Sequence, residues 1–272
     1  MEGIMKRILL AFVFSCLLLG PGIGGASTII GGDALSKEAA DDILDIIFII
    51  DTSGSMSDDI ASIASVAETA ITDLECPDCD VYVRARFMGI TTASGTVFNE
   101  TVISQSWSGS VDHQEDNGWA AAAAASALSG TWWVNDAGIA QDYYRAVVTI
   151  GDEGTNNGQP VDQTDWDAAY AANQAAIAND VILFSWVTND PYPGVVDLFR
   201  IMAMGGTGGG YNFSFAGGGF VDDSAGTGDV ATTLENIICS SVVNPVVPEP
   251  STFLLLGAGL AGLGYFTRRS RS

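Results

Sequence analysis

The sequence predicts an α/β fold, a mainly parallel central sheet with helices on both faces. Three observations predict it. "ILDIIFII" (43–50) is an almost continuous apolar run, the pattern of a strand buried on both faces. "YYRAVVTI" (143–150) and "VILFSWV" (181–187) repeat that pattern further along the chain. Between such runs lie helix-like segments, and strand–helix alternation implies right-handed parallel crossovers.

The elements follow in order. After the first strand, Ile60, Ile63, Ala67, Ala70, Ile71 and Leu74 recur at helical spacing within 57–74. "VYVRARFMGIT" (81–91) alternates and reads as a strand, and "GTVFNETVISQSW" (95–107) has a hairpin-like middle at Asn99-Glu100. Alanine-rich "GWAAAAAASALSG" (118–130) reads as a helix whose small side chains permit close packing. The strand 143–150 is followed by a helix over 165–180, the strand 181–187 and a helix over 195–204 stopped by Gly205-Gly206. "YNFSF" (211–215) is a short strand between glycine-rich stretches, 205–210 and 216–219, which read as loops. A closing helix spans 229–242. One Rossmann-like, three-layer domain over about 42–241 accounts for these elements, with linkers at 27–41 and 242–247.

Both ends read as address labels. Residues 1–26 carry basic residues, an apolar run from Ile8 to Leu19, and a Gly/Pro stretch ending at Ala26, the layout of a secretory signal. The C-terminal "VVNPVVPEPSTFLLLGAGLAGLGYFTRRSRS" joins a Pro-rich segment, an apolar run from Phe253 to Phe266, and the basic Arg268, Arg269 and Arg271. At ~1.5 Å per residue that run reaches only ~21 Å, short of a ~30 Å hydrocarbon core, so it suits transient membrane retention. "GAGLAG" (257–262) satisfies a G-x-G-x-x-G pattern but follows no strand and precedes no α/β unit, which excludes a dinucleotide site. Its glycines suit close helix packing.

This tail resembles the PEP-CTERM sorting signal of Gram-negative bacteria, through Pro248-Glu249-Pro250-Ser251-Thr252, the glycine-rich apolar run and Arg268-Arg269. The resemblance covers 248–272. It implies recognition by an exosortase, passing contact with the inner membrane, and delivery to the cell surface or extracellular matrix.

Charge narrows the function further. The formal net charge is −23, and between the labels (27–247) five bases face 31 acids. Such a chain repels nucleic acid and anionic headgroups and attracts cations. Outside the signal, the cysteines are Cys76, Cys79 and Cys239. Export makes a disulfide feasible, either as a tight Cys76–Cys79 loop or as a bridge from one of them to Cys239.

Ligands in open α/β sheets gather at the carboxyl ends of the strands. Two acidic strand ends stand there: Asp51, with Ser53 and Ser55 at alternate positions after it, and Asp152 in "TIGDEGTNN". One carboxylate and two hydroxyls aimed at a point, joined by a second carboxylate, make an oxygen set for a hard cation such as Mg²⁺. The alternative is that Ser55 or Ser57 merely caps the following helix.

Asp51-Thr52-Ser53-Gly54-Ser55-Met56 after an apolar strand resembles the D-x-S-x-S motif of von Willebrand factor type A (VWA) domains, and Asp152 stands where that family places its later aspartate. The resemblance covers about 42–241. It implies a VWA fold and a metal-ion-dependent adhesion site with one divalent cation, Mg²⁺ or else Ca²⁺ or Mn²⁺, held by Asp51, Ser53, Ser55 and Asp152. An open position on that cation would take an acidic group of a protein or exopolysaccharide partner. The loop in which the family carries a threonine reads "GSVDHQEDNGWA" here, leaving Glu115, Asp116 or Asn117 as candidate donors.

No nucleophile, general base or redox pair stands out, and no G-x-S-x-G elbow occurs. His113, the single histidine, reads as an exposed loop residue, and Trp132-Trp133 as packing rather than a sugar platform. The expectation is a non-enzymatic surface or matrix adhesion protein. The competing one is an acidic structural matrix protein with a degenerate metal site.

Overall fold

The computed structural model describes residues 29–51, 54–77, 80–90, 98–99, 141–155, 160–188 and 191–243. The strands are β1 (Ile29–Gly31), β2 (Asp42–Ile50), β3 (Val81–Ile90), β4 (Phe98–Asn99), β5 (Asp142–Gly151), β6 (Ile182–Val187), β7 (Gly206–Gly208), β8 (Tyr211–Phe213) and β9 (Gly217–Asp222). The helices are α1 (Ser57–Thr72), α2 (Gln163–Ala178), α3 (Val195–Met204) and α4 (Val230–Val243), with a 3₁₀ turn at Gly54–Met56 before α1. The main sheet runs β1-β3-β2-β5-β6-β9, and β4 pairs β3. β3, β2, β5, β6 and β9 are mutually parallel, while β1 and β4 are antiparallel to β3. This is the α/β architecture that the alternating pattern predicts.

β2 is central because its side chains serve both faces. Ile46, Phe48 and Ile50 point to one core, closed by Ile63 and Ile71 of α1 and by Leu234 and Ile238 of α4. Ile47 and Ile49 point to the other, closed by Ala169 and Ala172 of α2 and Leu198 and Phe199 of α3. A strand covered on both sides has no polar face to alternate with, so it reads as an apolar run. Phe48 stacks on Phe87 of β3 with centroids 4.5 Å apart. Asp45, the one acid inside the run, is 4% exposed and lies in register with Arg84. Arg84 Nε donates to its Oδ1 at 2.5 Å and Tyr143 Oη to its Oδ2 at 2.6 Å, so the buried charge is paired.

α2 starts in a capping box, in which Thr164 N donates to Asp162 Oδ1 at 2.7 Å and Asp162 N to Asp165 Oδ2 at 2.8 Å. α3 stops at Gly205, whose φ of 80° lies in the left-handed region that glycine adopts without penalty.

Three expectations are corrected. The stretch 205–210, expected as a loop, contains β7, paired antiparallel with β8. The stretch 216–219, also expected as a loop, opens β9, which adds to the main sheet beside β6. Glycine carries no hydrophobic pattern, yet β9 needs it, since a Cβ on Gly218 would lie 2.1 Å from the carbonyl oxygen of Leu183. The segment 27–41, expected as a linker, holds the edge strand β1, and Asp33 beyond it accepts from Cys76 N at 2.9 Å and Val81 N at 2.7 Å. Of the segment 95–107, expected to turn at Asn99-Glu100, only Phe98–Asn99 is described, as β4, with Asn99 opposite Gly89; Glu100 lies outside the described residues.

Of the cysteine alternatives, Cys76 bridges Cys239, with Cα atoms 5.5 Å apart. The bridge ties the segment after α1 to α4. The expected signal peptide (1–26), Cys79, the stretch 118–130 expected as a helix, Trp132-Trp133 and the tail (248–272) lie outside the described residues. Among the described residues, no helix is long and apolar enough to cross a membrane.

The bridge spans 163 residues of sequence, so it restrains the unfolded chain strongly. Replacing Cys76 and Cys239 by serine is expected to cost about 2–5 kcal/mol in urea unfolding. A midpoint and slope equal to those of the parent would contradict that contribution.

Candidate metal centre

The site is built by the register between β2 and β5. Ile50 pairs with Ile150, and Asp51 N donates to Ile150 O at 2.9 Å. Asp51 and Asp152 therefore leave neighbouring strand ends one step apart, about 4.8 Å across the sheet and about 3.3 Å along it. Both are buried, at 1% and 3% exposure. The backbone around Asp152 is held by its neighbours, since Thr188 N donates to Gly151 O at 3.1 Å and Tyr192 N to Asp152 O at 3.1 Å.

The turn after β2 brings in the third group. The Ser55 hydroxyl hydrogen-bonds the Asp152 carboxylate, so the motif from one strand meets the acid from the next. Ser55 does not cap α1. The N-cap is Met56 and no side chain caps the helix, which answers the capping alternative for the described residues. Met56 is fully buried, and Thr188 Oγ1 donates to its Sδ at 3.1 Å, pinning the turn to the end of β6.

Asp152 shows what the arrangement lacks. Among the described residues its Oδ1 is buried with no hydrogen-bond partner. Burial pushes its carboxyl from 3.8 up to about 6, the Ser55 hydrogen bond opposes this, and the charges of Glu153 and Asp59 add to it. A buried carboxylate oxygen without a donor is costly unless something positive completes it. Arg84, Arg145 and Arg200 are engaged elsewhere, with Asp45, Asn179 O and Asp197.

The structure thus joins Ser55 to Asp152 by a hydrogen bond and places Asp51 at the end of the neighbouring strand. Ser53 and the loop with His113, Glu115, Asp116 and Asn117 lie outside the described residues. Among the described residues, no three of His, Cys, Asp and Glu converge as a metal-ligating group. The available donors are two carboxylates and a hydroxyl, all hard oxygens, a set that fits Mg²⁺ or Ca²⁺ with water in the remaining positions. Sequence reasoning missed Thr188 and Glu153. Thr188 was detectable only as a hydroxyl at a strand end, and Glu153 only as a second acid after Asp152.

Comparison with known proteins bears on the tail. Residues 246–271 match the family model of the PEP-CTERM protein-sorting motif, from two residues before the expected start at Pro248. A comparison with curated proteins finds no match. Among solved structures, the chain is similar to proximal thread matrix protein 1 from the mussel byssus at 14% identity and a TM-score of 0.42, over 73% of this chain and 48% of that one. This chain therefore spans about half the length of that one. The sorting motif implies an exported protein of a Gram-negative bacterium, recognised by an exosortase during sorting.

Proposed function

We propose that this is a non-enzymatic binding protein of the cell surface or extracellular matrix, with a VWA-type domain that engages an acidic group of a protein or polysaccharide through one divalent cation. The observation that carries the reading is Asp152 Oδ1, buried without a partner among the described residues, on a carboxylate bound by the Ser55 hydroxyl and one strand away from the buried Asp51. When bound, the cation supplies positive charge and a coordination position open to a partner oxygen. Asp51 and Asp152 would hold it, with Ser55 and Ser53 as neutral donors. The buried register of β2 and β5 keeps the carboxylates in place, and the sorting tail puts the site outside the cell.

The acidity of the chain favours a second reading, a structural matrix protein that takes up cations diffusely. Titration calorimetry of residues 27–247 separates the two. The binding reading expects one cation per chain and its loss in Asp51→Ala. Weak uptake at many sites, barely altered by Asp51→Ala, would favour the matrix reading and sink the first.

The pKa of Asp152 adds a pH signature. Its folded value, about 6, lies above the ordinary 3.8, so without cation its stabilising contribution is complete below about pH 3.8 and is lost as pH rises through 6. The loss is about 3 kcal/mol at most. A cation holds the ionised form, so the gap in melting temperature between cation and chelator is expected to widen from pH 4 to pH 7. The widening is expected to vanish in Asp152→Asn; a gap independent of pH in the parent would contradict Asp152 as a ligand.

A further inference from the structure

Glu153 follows Asp152 directly and has no role in the site as described so far. It is 9% exposed, and no hydrogen bond or ion pair to its carboxylate occurs among the described residues. It lies close enough to act electrostatically on Asp152. It does not join Asp51 and Asp152 in a convergent set of three acidic ligands. The chain therefore buries two consecutive acids at one strand end, and one of them carries an oxygen with no donor among the described residues. Burying neighbouring like charges is unfavourable unless a cation sits among them.

We propose that Glu153 sets the charge of the metal centre from just outside its ligand shell, tightening the hold on the cation and weakening the pull on an acidic partner. The inference rests on the metal-site reading above. Asp51 and Asp152 neutralise a divalent cation, so the loaded ligand shell carries no net charge. Glu153 adds one negative charge to the surroundings, and Asp59 in the first turn of α1 adds to the same field. At these buried strand ends that charge attracts the cation and repels an incoming carboxylate. Glu153 is thus a specificity-determining residue, which favours retention of the ion over strength of capture.

The test is Mn²⁺ titration of the full chain followed by water-proton relaxation, then acetate titration of the Mn²⁺-loaded protein. Glu153→Gln keeps the shape and removes the charge, and Glu153→Asp keeps the charge. The Gln variant is expected to bind Mn²⁺ about tenfold more weakly and acetate severalfold more tightly, with the Asp variant close to the parent. Both affinities within twofold of the parent, or both shifted in the same direction, would overturn the role of Glu153. A parent chain that binds no Mn²⁺ would overturn the metal-site reading itself, and that result appears before any variant is made.

Discussion

The parallel pairing of β2 with β5 is the constraint on which the rest of this structure depends. Nine residue pairs run in unbroken register from Asp42–Asp142 to Ile50–Ile150. Because β2 is buried on both faces, a slip by one residue would turn Ile46, Phe48 and Ile50 out of one core and Ile47 and Ile49 out of the other. The register is therefore fixed by hydrophobic burial, and the carboxyl ends of the two strands inherit it. Asp51 and Asp152 are held near one another by forces that act on other residues. The same packing strips water from both carboxylates and raises the pKa of Asp152.

Much of this was legible in the sequence because the buried strands leave a strong signal. β2, β5 and β6 are apolar runs, and α1, α3 and α4 repeat apolar residues at helical spacing. β7 and β9 were not legible, since their glycines are chosen for close backbone approach and left-handed φ, which a hydrophobic pattern does not register. β1 is three residues long, too short for a periodicity. At the site, Asp51, Ser55 and Asp152 were legible as oxygen donors at strand ends. That Asp51 and Asp152 leave neighbouring strand ends depends on Ile50 meeting Ile150, a long-range fact. Glu153 escaped because an acid beside an acid looks solvated until its burial is known. The choice of Cys239 over Cys79 as the partner of Cys76 likewise depended on where α4 packs.

Charge, trafficking and geometry are consistent with one another. An exported chain with 33 acids and 10 bases carries far more acids than its lysines and arginines can pair. In the proposed account the acidic surface draws cations towards the protein, and the buried strand ends select where one is held. The field of Glu153 then limits how hard the loaded site pulls on an acidic partner, so capture would depend on direct coordination more than on long-range attraction.

The most direct measurement is anomalous diffraction from a crystal of residues 27–247 grown with Mn²⁺. The account predicts a single strong anomalous peak within coordination distance, about 2.0–2.6 Å, of the carboxylates of Asp51 and Asp152. A crystal with Mn²⁺ bound elsewhere and no peak between those two strand ends would contradict it.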